Sequence, residues 1–135
     1  MVISHDLGVI AAVCDAAQVM YAGQIVERAP IESMLSAPEH PYTRALLNLV
    51  PRLDHSKHRR LHPIAGSPPS LSALPPGCRF APRCEHRFDR CDDEPPLRPV
   101  AAGHTSRCWL NECDFEAFGF GGILFARHRL AFTAK

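Results

Sequence analysis

Four cysteines, at positions 78, 84, 91 and 108, fall in a stretch too poor in large apolar residues to close a core of its own. Their spacing is C-x5-C-x6-C-x16-C, set among prolines and arginines in Pro75-Pro-Gly-Cys-Arg-Phe-Ala-Pro-Arg-Cys-Glu-His-Arg-Phe-Asp-Arg-Cys91 and Ser106-Arg-Cys-Trp109. Burial alone does not offset the entropy of ordering such a segment, so something must staple the thiols. Three staples compete. Disulfides suit small secreted domains. The chain opens Met1-Val-Ile-Ser-His5, however, without the basic, apolar and small-residue regions of a signal peptide, so the expectation is a cytosolic setting with reduced thiols. Structural zinc ordinarily uses tight C-x2-C pairs, and no such pair occurs. An iron–sulfur cluster takes four thiolates at wider, uneven spacing. Spacing alone leaves zinc and a cluster open, with disulfides behind both. Cys14 and Cys113 fall outside the rhythm, and Cys14, in an apolar run, reads as an ordinary buried thiol.

The remaining composition sets limits. A chain of 135 residues has the length of one ordinary domain. A net charge of +1 gives no pull toward nucleic acid or an acidic membrane surface, and no apolar run of about 20 residues is present to span a bilayer. The 13 prolines gather from Pro51 onward, which suggests an ordered front and an irregular, stapled back rather than one continuous core. In the front, Met1–Ser4 reads as the tail of a buried strand. Asp6 is a candidate helix N-cap ahead of an apolar stripe of Leu7, Val9, Ile10 and Val13. Ala17–Tyr21 and Gln24–Glu27 are strand-like, split by a turn at Ala22-Gly23. Pro30 suits the first turn of a helix over Ile31–Ser36, and a second helix runs Tyr42–Val50 to its stop at Pro51. Arg52–Pro76 reads as a linker with a basic run at Lys57-His-Arg-Arg60.

The segment Val2-Ile-Ser-His-Asp-Leu-Gly-Val-Ile-Ala-Ala-Val-Cys-Asp15, followed by Val19-Met-Tyr-Ala-Gly-Gln-Ile-Val-Glu27, resembles the switch-histidine region of ABC-transporter ATPases. Glu39-His-Pro-Tyr-Thr-Arg-Ala-Leu-Leu47 narrows the resemblance to the oligopeptide/dipeptide/nickel importer subfamily. Pro63-Ile-Ala-Gly-Ser-Pro-Pro69 and Gly77-Cys-Arg-Phe-Ala-Pro-Arg-Cys84 look like that subfamily's C-terminal extension. The likeness covers roughly residues 2 to 110. It implies an α/β fold, the C-terminal end of an ABC nucleotide-binding domain followed by a small irregular cysteine-rich extension. The expected parts are the domain end over 1–50, a Pro-rich linker over 51–76, the four-cysteine module over 77–110, and a tail over 111–135.

The resemblance also implies roles. Cys78, Cys84, Cys91 and Cys108 become ligands of a 4Fe–4S cluster, with zinc as the alternative. Arg79, Arg83 and Arg107, each beside one of these cysteines, either soften the cluster's negative charge or are ordinary solvated arginines. His5 becomes the switch histidine that contacts the γ-phosphate of ATP, since phosphoryl transfer depends on positioning and charge stabilisation. Taken without the family, a lone histidine after a strand is usually structural. The implied partners are a second ATP-binding subunit and permease subunits, at the cytoplasmic face of a bacterial or archaeal plasma membrane, with no nucleic acid.

The chain departs from the family pattern at two places. It contains no G-x-x-x-x-G-K-[ST] phosphate loop, no apolar strand ending in Asp-Glu, no glutamine loop and no signature sequence. ATP and magnesium are therefore expected only in a complete subunit, and this polypeptide alone is expected not to hydrolyse ATP. The second departure is the tail from Asn111, with Phe115, Phe118, Phe120, Phe125 and Phe132 among glycines. It reads either as a membrane- or permease-touching stretch or as an unrelated tail. The competing functions are a stand-alone small metal- or iron–sulfur-binding protein, or a non-functional truncated remnant.

Overall fold

The β1–β2 hairpin is the structural centre. In the computed structural model, which describes residues 1–4, 7–49 and 64–112, β1 (Ala16–Tyr21) and β2 (Gln24–Pro30) pair antiparallel from Ala16↔Pro30 to Tyr21↔Gln24. Ala22 and Gly23 make the turn with φ of 47° and 79°. Two successive positive φ values match the right-handed twist of the flanking strands, as in a type I′ turn. Alternation in β1 sends Val19 and Tyr21 inward and Gln18 and Met20 outward. The register shifts between Val19 and Met20, whose partners are Glu27 and Ile25, so Val26 is an extra residue in β2. A bulge of this kind turns two consecutive side chains toward the same side. Val26 and Glu27 are accordingly both buried.

Around the hairpin lie α1 (Leu7–Val13), α2 (Ile31–Ser36) and α3 (Pro41–Leu49). α2 begins directly after β2, with Pro30 at its N-cap and the Ile31 N–H donating to Asp15 O at 2.9 Å. The back of the chain supplies a second hairpin, β3 (Arg98–Ala101) and β4 (His104–Ser106). β4 pairs with β2 through Glu27↔Ser106 and Arg28↔Thr105, giving a sheet ordered β1-β2-β4-β3, antiparallel throughout. Pro99 sits in the edge strand β3, where a missing N–H is tolerated. Three single 3-10 turns, Ala81–Arg83, Asp89–Asp92 and Trp109–Glu112, complete the described elements.

The expectation of an ordered front beside a separately stapled back does not survive. Val19, Tyr21, Val26, Ala29, Met34 and Phe80 form one buried cluster, with Cys78, Cys84 and Ile64 packed against it. Phe80 meets Tyr21 edge to face at 5.2 Å and lies 5.3 Å from Tyr42, a geometry that adds to the burial gain. The extension thus reaches the core through one aromatic ring and shares the sheet through β4, and it is partly regular rather than wholly irregular.

Two further expectations are corrected. Met1–Ser4 belongs to no strand of the sheet, since a strand forms only where a neighbour takes up its ladder of hydrogen bonds. The stripe on α1 is only partly covered in the described structure: Leu7 and Ile10 are half-buried, and Val9 and Val13 are 47% and 63% exposed. Cys14 is half-buried rather than buried. His5, Asp6, the basic run 57–60, Cys113 and the five phenylalanines from Phe115 onward lie outside the described residues.

Candidate metal centre and its supports

Each of the four cysteines stands next to a tight turn. Cys78 precedes Ala81–Arg83 and Cys84 follows it; Cys91 lies within Asp89–Asp92; Cys108 precedes Trp109–Glu112. The turns close with Ala81 N–H on Cys78 O at 3.0 Å, Arg87 N–H on Cys84 O at 3.2 Å and Asn111 N–H on Cys108 O at 3.4 Å. Cys78 N–H donates to Cys91 O at 2.9 Å and ties the first and third cysteines directly. All four line one pocket together with His40, Phe80, His86 and Trp109. The structure therefore brings together the four residues singled out by spacing, while Cys14 stays at the end of α1, outside that lining.

The turns have an electrostatic consequence. The backbone N–H groups of Phe80 and Ala81 pull the Cys78 thiol down, that of His86 pulls Cys84 down, and that of Leu110 pulls Cys108 down. These donors favour the thiolate. Burial outweighs them: it pushes the Cys78 and Cys84 thiols up, and Cys108 up to about 12, with the neighbouring cysteines adding in the same direction. Four soft donors that repel one another as anions, three of them near backbone N–H groups, are a donor set that a cation would complete. Among the described residues, no three His, Cys, Asp or Glu side chains are already grouped to hold a metal ion.

Gly77 allows the ring of cysteines to close. A Cβ on it would stand 2.4 Å from Cys91 O and from the Asp92 carbonyl carbon, both of them backbone atoms that cannot swing aside. Gly77→Ala is expected to push 77–78 away from 91–92 and cost about 1–3 kcal/mol by overpacking. Urea unfolding would register the loss, and an unchanged midpoint would show that the two segments separate freely.

Arg79, Arg83 and Arg107 are neither solvated nor turned toward the thiols. Arg79 Nη1 donates to Ala22 O at 2.6 Å. Arg83 donates through Nε to Ala65 O at 2.8 Å, through Nη2 to Ile64 O at 3.0 Å, and through Nη1 to the Tyr21 hydroxyl at 3.4 Å. Arg107 donates through Nε to Ile25 O at 3.1 Å and through Nη1 to Pro95 O at 3.0 Å. All three are half-buried.

A second cluster underlies the pocket, and composition gave no sign of it. Glu27, fully buried, accepts Glu39 N–H at 2.7 Å on Oε1 and His40 N–H at 3.0 Å on Oε2. His104 Nε2 lies 2.7 Å from the same Oε1, and with an acceptor opposite, the ring nitrogen is the donor. One carboxylate thus joins β2, the start of α3 and β4. The only hint in the sequence was a glutamate following Ile25-Val26 in a strand.

His40 is buried too. Its Nδ1 accepts Tyr42 N–H at 3.1 Å. Burial pushes its pKa down to about 4, against the pull of Glu27 and of the Arg107 backbone. The unfolded imidazole titrates near 6.5, so on acidification the unfolded chain takes up this proton first. His40's contribution is complete above about pH 6.5 and is lost as pH falls toward 4, at up to about 1.4 kcal/mol per unit. Urea unfolding at pH 7 and pH 5 would show this slope, and His40→Asn should flatten it.

No helix among the described residues is long and apolar enough to cross a membrane. The family model described as "Oligopeptide/dipeptide transporter, C-terminal region" matches residues 26–91, the span that holds most of β2, all of α2 and α3 and three of the four cysteines. The chain is 50% identical over 113 residues to the oligopeptide transport ATP-binding protein OppD of Mycobacterium tuberculosis, covering 83% of this chain and 18% of that protein. It is 44% identical over 109 residues to OppD of Salmonella typhimurium, covering 81% of this chain and 32% of the relative. With the oligopeptide transport ATP-binding protein AppD of Bacillus subtilis it shares 44% over 113 residues, 83% of this chain and 34% of the relative. The chain thus spans about a third or less of the length of these relatives. It belongs with the C-terminal part of the ATP-binding subunits of peptide ABC importers.

Proposed function

We propose that this chain acts as the C-terminal part of an importer's ATP-binding subunit, and that Cys78, Cys84, Cys91 and Cys108 hold a 4Fe–4S cluster in it. What carries the reading is the convergence of four thiols from positions 78 to 108 on one pocket packed against the hairpin core. Soft thiolates met by backbone N–H donors suit iron and sulfide. When bound, the cluster would supply a rigid four-point crosslink. Because no three ligands are grouped in advance among the described residues, loading entails local rearrangement of the pocket, the coupling of metal binding to folding seen in small cysteine modules. This chain's own residues set the frame for that step: Gly77 admits the close approach of 77–78 to 91–92, and Glu27 holds β4, which leads into Cys108.

In the complete subunit, ATP and magnesium would be held by parts that this chain does not contain. His5 would contact the γ-phosphate, where one placed donor strengthens transition-state charge stabilisation. The partners would be a second ATP-binding subunit and the permeases for peptides or related solutes, with the subunit peripheral at the cytoplasmic membrane face. Alone, the chain would not hydrolyse ATP.

Purification without oxygen, followed by an ultraviolet–visible spectrum and iron, sulfide and zinc analysis, tests the centre. Broad brown absorbance with equal iron and sulfide is expected. Colourless protein with one zinc would replace the cluster by a small zinc module, and copurification of permease subunits with the tagged chain tests the importer assignment separately.

A further inference from the structure

We propose that Arg79, Arg83 and Arg107 are positioning residues that couple metal loading of the cysteine ring to the order of the β1–β2 hairpin. The inference rests on the cysteine ring holding a metal. Three of the four proposed ligands, Cys78, Cys84 and Cys108, each have one of these arginines as an immediate chain neighbour. Each guanidinium makes a hydrogen bond onto the hairpin: Arg79 to the turn at Ala22, Arg83 to the Tyr21 hydroxyl while its other N–H groups hold Ile64 and Ala65, and Arg107 to β2 at Ile25. Arg107 also continues the sheet, its own N–H donating to Val26 O at 2.8 Å. Adjacent residues share a peptide plane, so fixing a cysteine sulfur fixes the base of the neighbouring arginine.

The grip falls where the hairpin is weakest. Ala22 holds φ at 47°, a left-handed conformation costly for a residue with a Cβ, and Val26 is the extra residue of the bulge. Hydrogen bonds from Arg79 to Ala22 and from Arg107 to Ile25 and the bulge residue Val26 offset that cost only while their own backbone is held. Metal at the thiols therefore orders the hairpin, and by linkage an ordered hairpin retains the metal by the same factor. Charge alone does not account for the arrangement, since the guanidinium groups hydrogen-bond backbone carbonyls, and in Arg83 the Tyr21 hydroxyl as well, rather than the sulfurs. The fork of Arg83 meets three acceptors at once, which a lysine ammonium on a flexible stem does not reproduce.

The test uses the full 135-residue chain, reconstituted with ferrous iron and sulfide or loaded with zinc alone, and compares loaded with metal-free protein. Amide hydrogen exchange over 21–25 is expected to slow about tenfold on loading, a coupling of about 1.4 kcal/mol. In Arg83→Lys and Arg107→Lys, which keep the charge, that ratio should fall toward one, and metal loss to excess chelator should speed several-fold. Lysine variants with wild-type exchange and metal loss would overturn the proposal in favour of charge softening. The wild-type comparison needs no variant to fold: bound metal with no change in exchange over 21–25 would overturn the coupling while leaving the metal centre intact. Wild-type protein that takes up neither iron nor zinc would overturn the metal centre and the coupling with it.

Discussion

Glu27→Gln is expected to remove about 3–5 kcal/mol of stability, the cost typical of breaking a buried, hydrogen-bonded side-chain cluster by altering one partner. A carboxylate offers acceptors only, and Glu27 uses them for the N–H groups of Glu39 and His40 and for the His104 ring. An amide keeps one acceptor and turns an NH2 toward a donor. At least one buried backbone N–H is then left without a partner, and the site is fully closed to water. Whole domains are stable by only about 5–15 kcal/mol, so this single atom exchange should bring the chain close to unfolding.

The loss should also be directional. Glu27 is the joint between β2, the α3 entry and β4, so the extension should detach first. Trp109 is the sole tryptophan and its Nε1 donates to Asp93 O at 3.0 Å within the extension. Its fluorescence in a urea titration reports that detachment. Glu32→Gln, on the exposed first turn of α2, is the control and should shift the midpoint by less than about 0.5 kcal/mol equivalent. A Glu27→Gln midpoint equal to that of the wild type would show that the three donors find other acceptors.

Short-range features were legible in the residues, and long-range ones were not. The hairpin followed from Val19-Met-Tyr alternating into Ala22-Gly23, and α2 from Pro30, because turn chemistry and a fixed φ act locally. The structure has these elements at Ala16–Tyr21, Gln24–Pro30 and Ile31–Ser36. The quartet of cysteines was legible as a set from its spacing, and all four line one pocket, but the place of Cys108 depends on the pairing of β4 with β2. What stayed hidden was the joining of β4 to the free edge of β2. That pairing links residues almost eighty positions apart and turns on Glu27 facing inward, which the bulge at Val26 brings about. The arginines misled for the same reason: their neighbours in sequence are cysteines, but their acceptors are carbonyls of distant segments. The apolar residues of Met1–Ser4 and α1 were readable as packing surfaces, yet in the described structure they remain largely exposed.

Cys84→Ser should abolish metal uptake, with iron, sulfide and zinc all falling to background, whereas Cys14→Ser should leave uptake at the wild-type level. A serine hydroxyl is a hard, weakly acidic donor that does not replace a thiolate toward iron or zinc. Without its fourth soft ligand the ring leaves one corner to water. The consequence extends beyond composition, because binding free energy in such modules is also folding free energy. Cys84 packs against the core that holds Phe80, so its variant should lose the stabilising effect of metal on the thermal midpoint while keeping the metal-free midpoint nearly unchanged. Cys91→Ser should be worse, since Cys91 is the most buried of the four and its carbonyl anchors Cys78 N–H. Full metal content in Cys84→Ser would sink the four-ligand assignment, and loss of metal in Cys14→Ser would place the centre elsewhere in the chain.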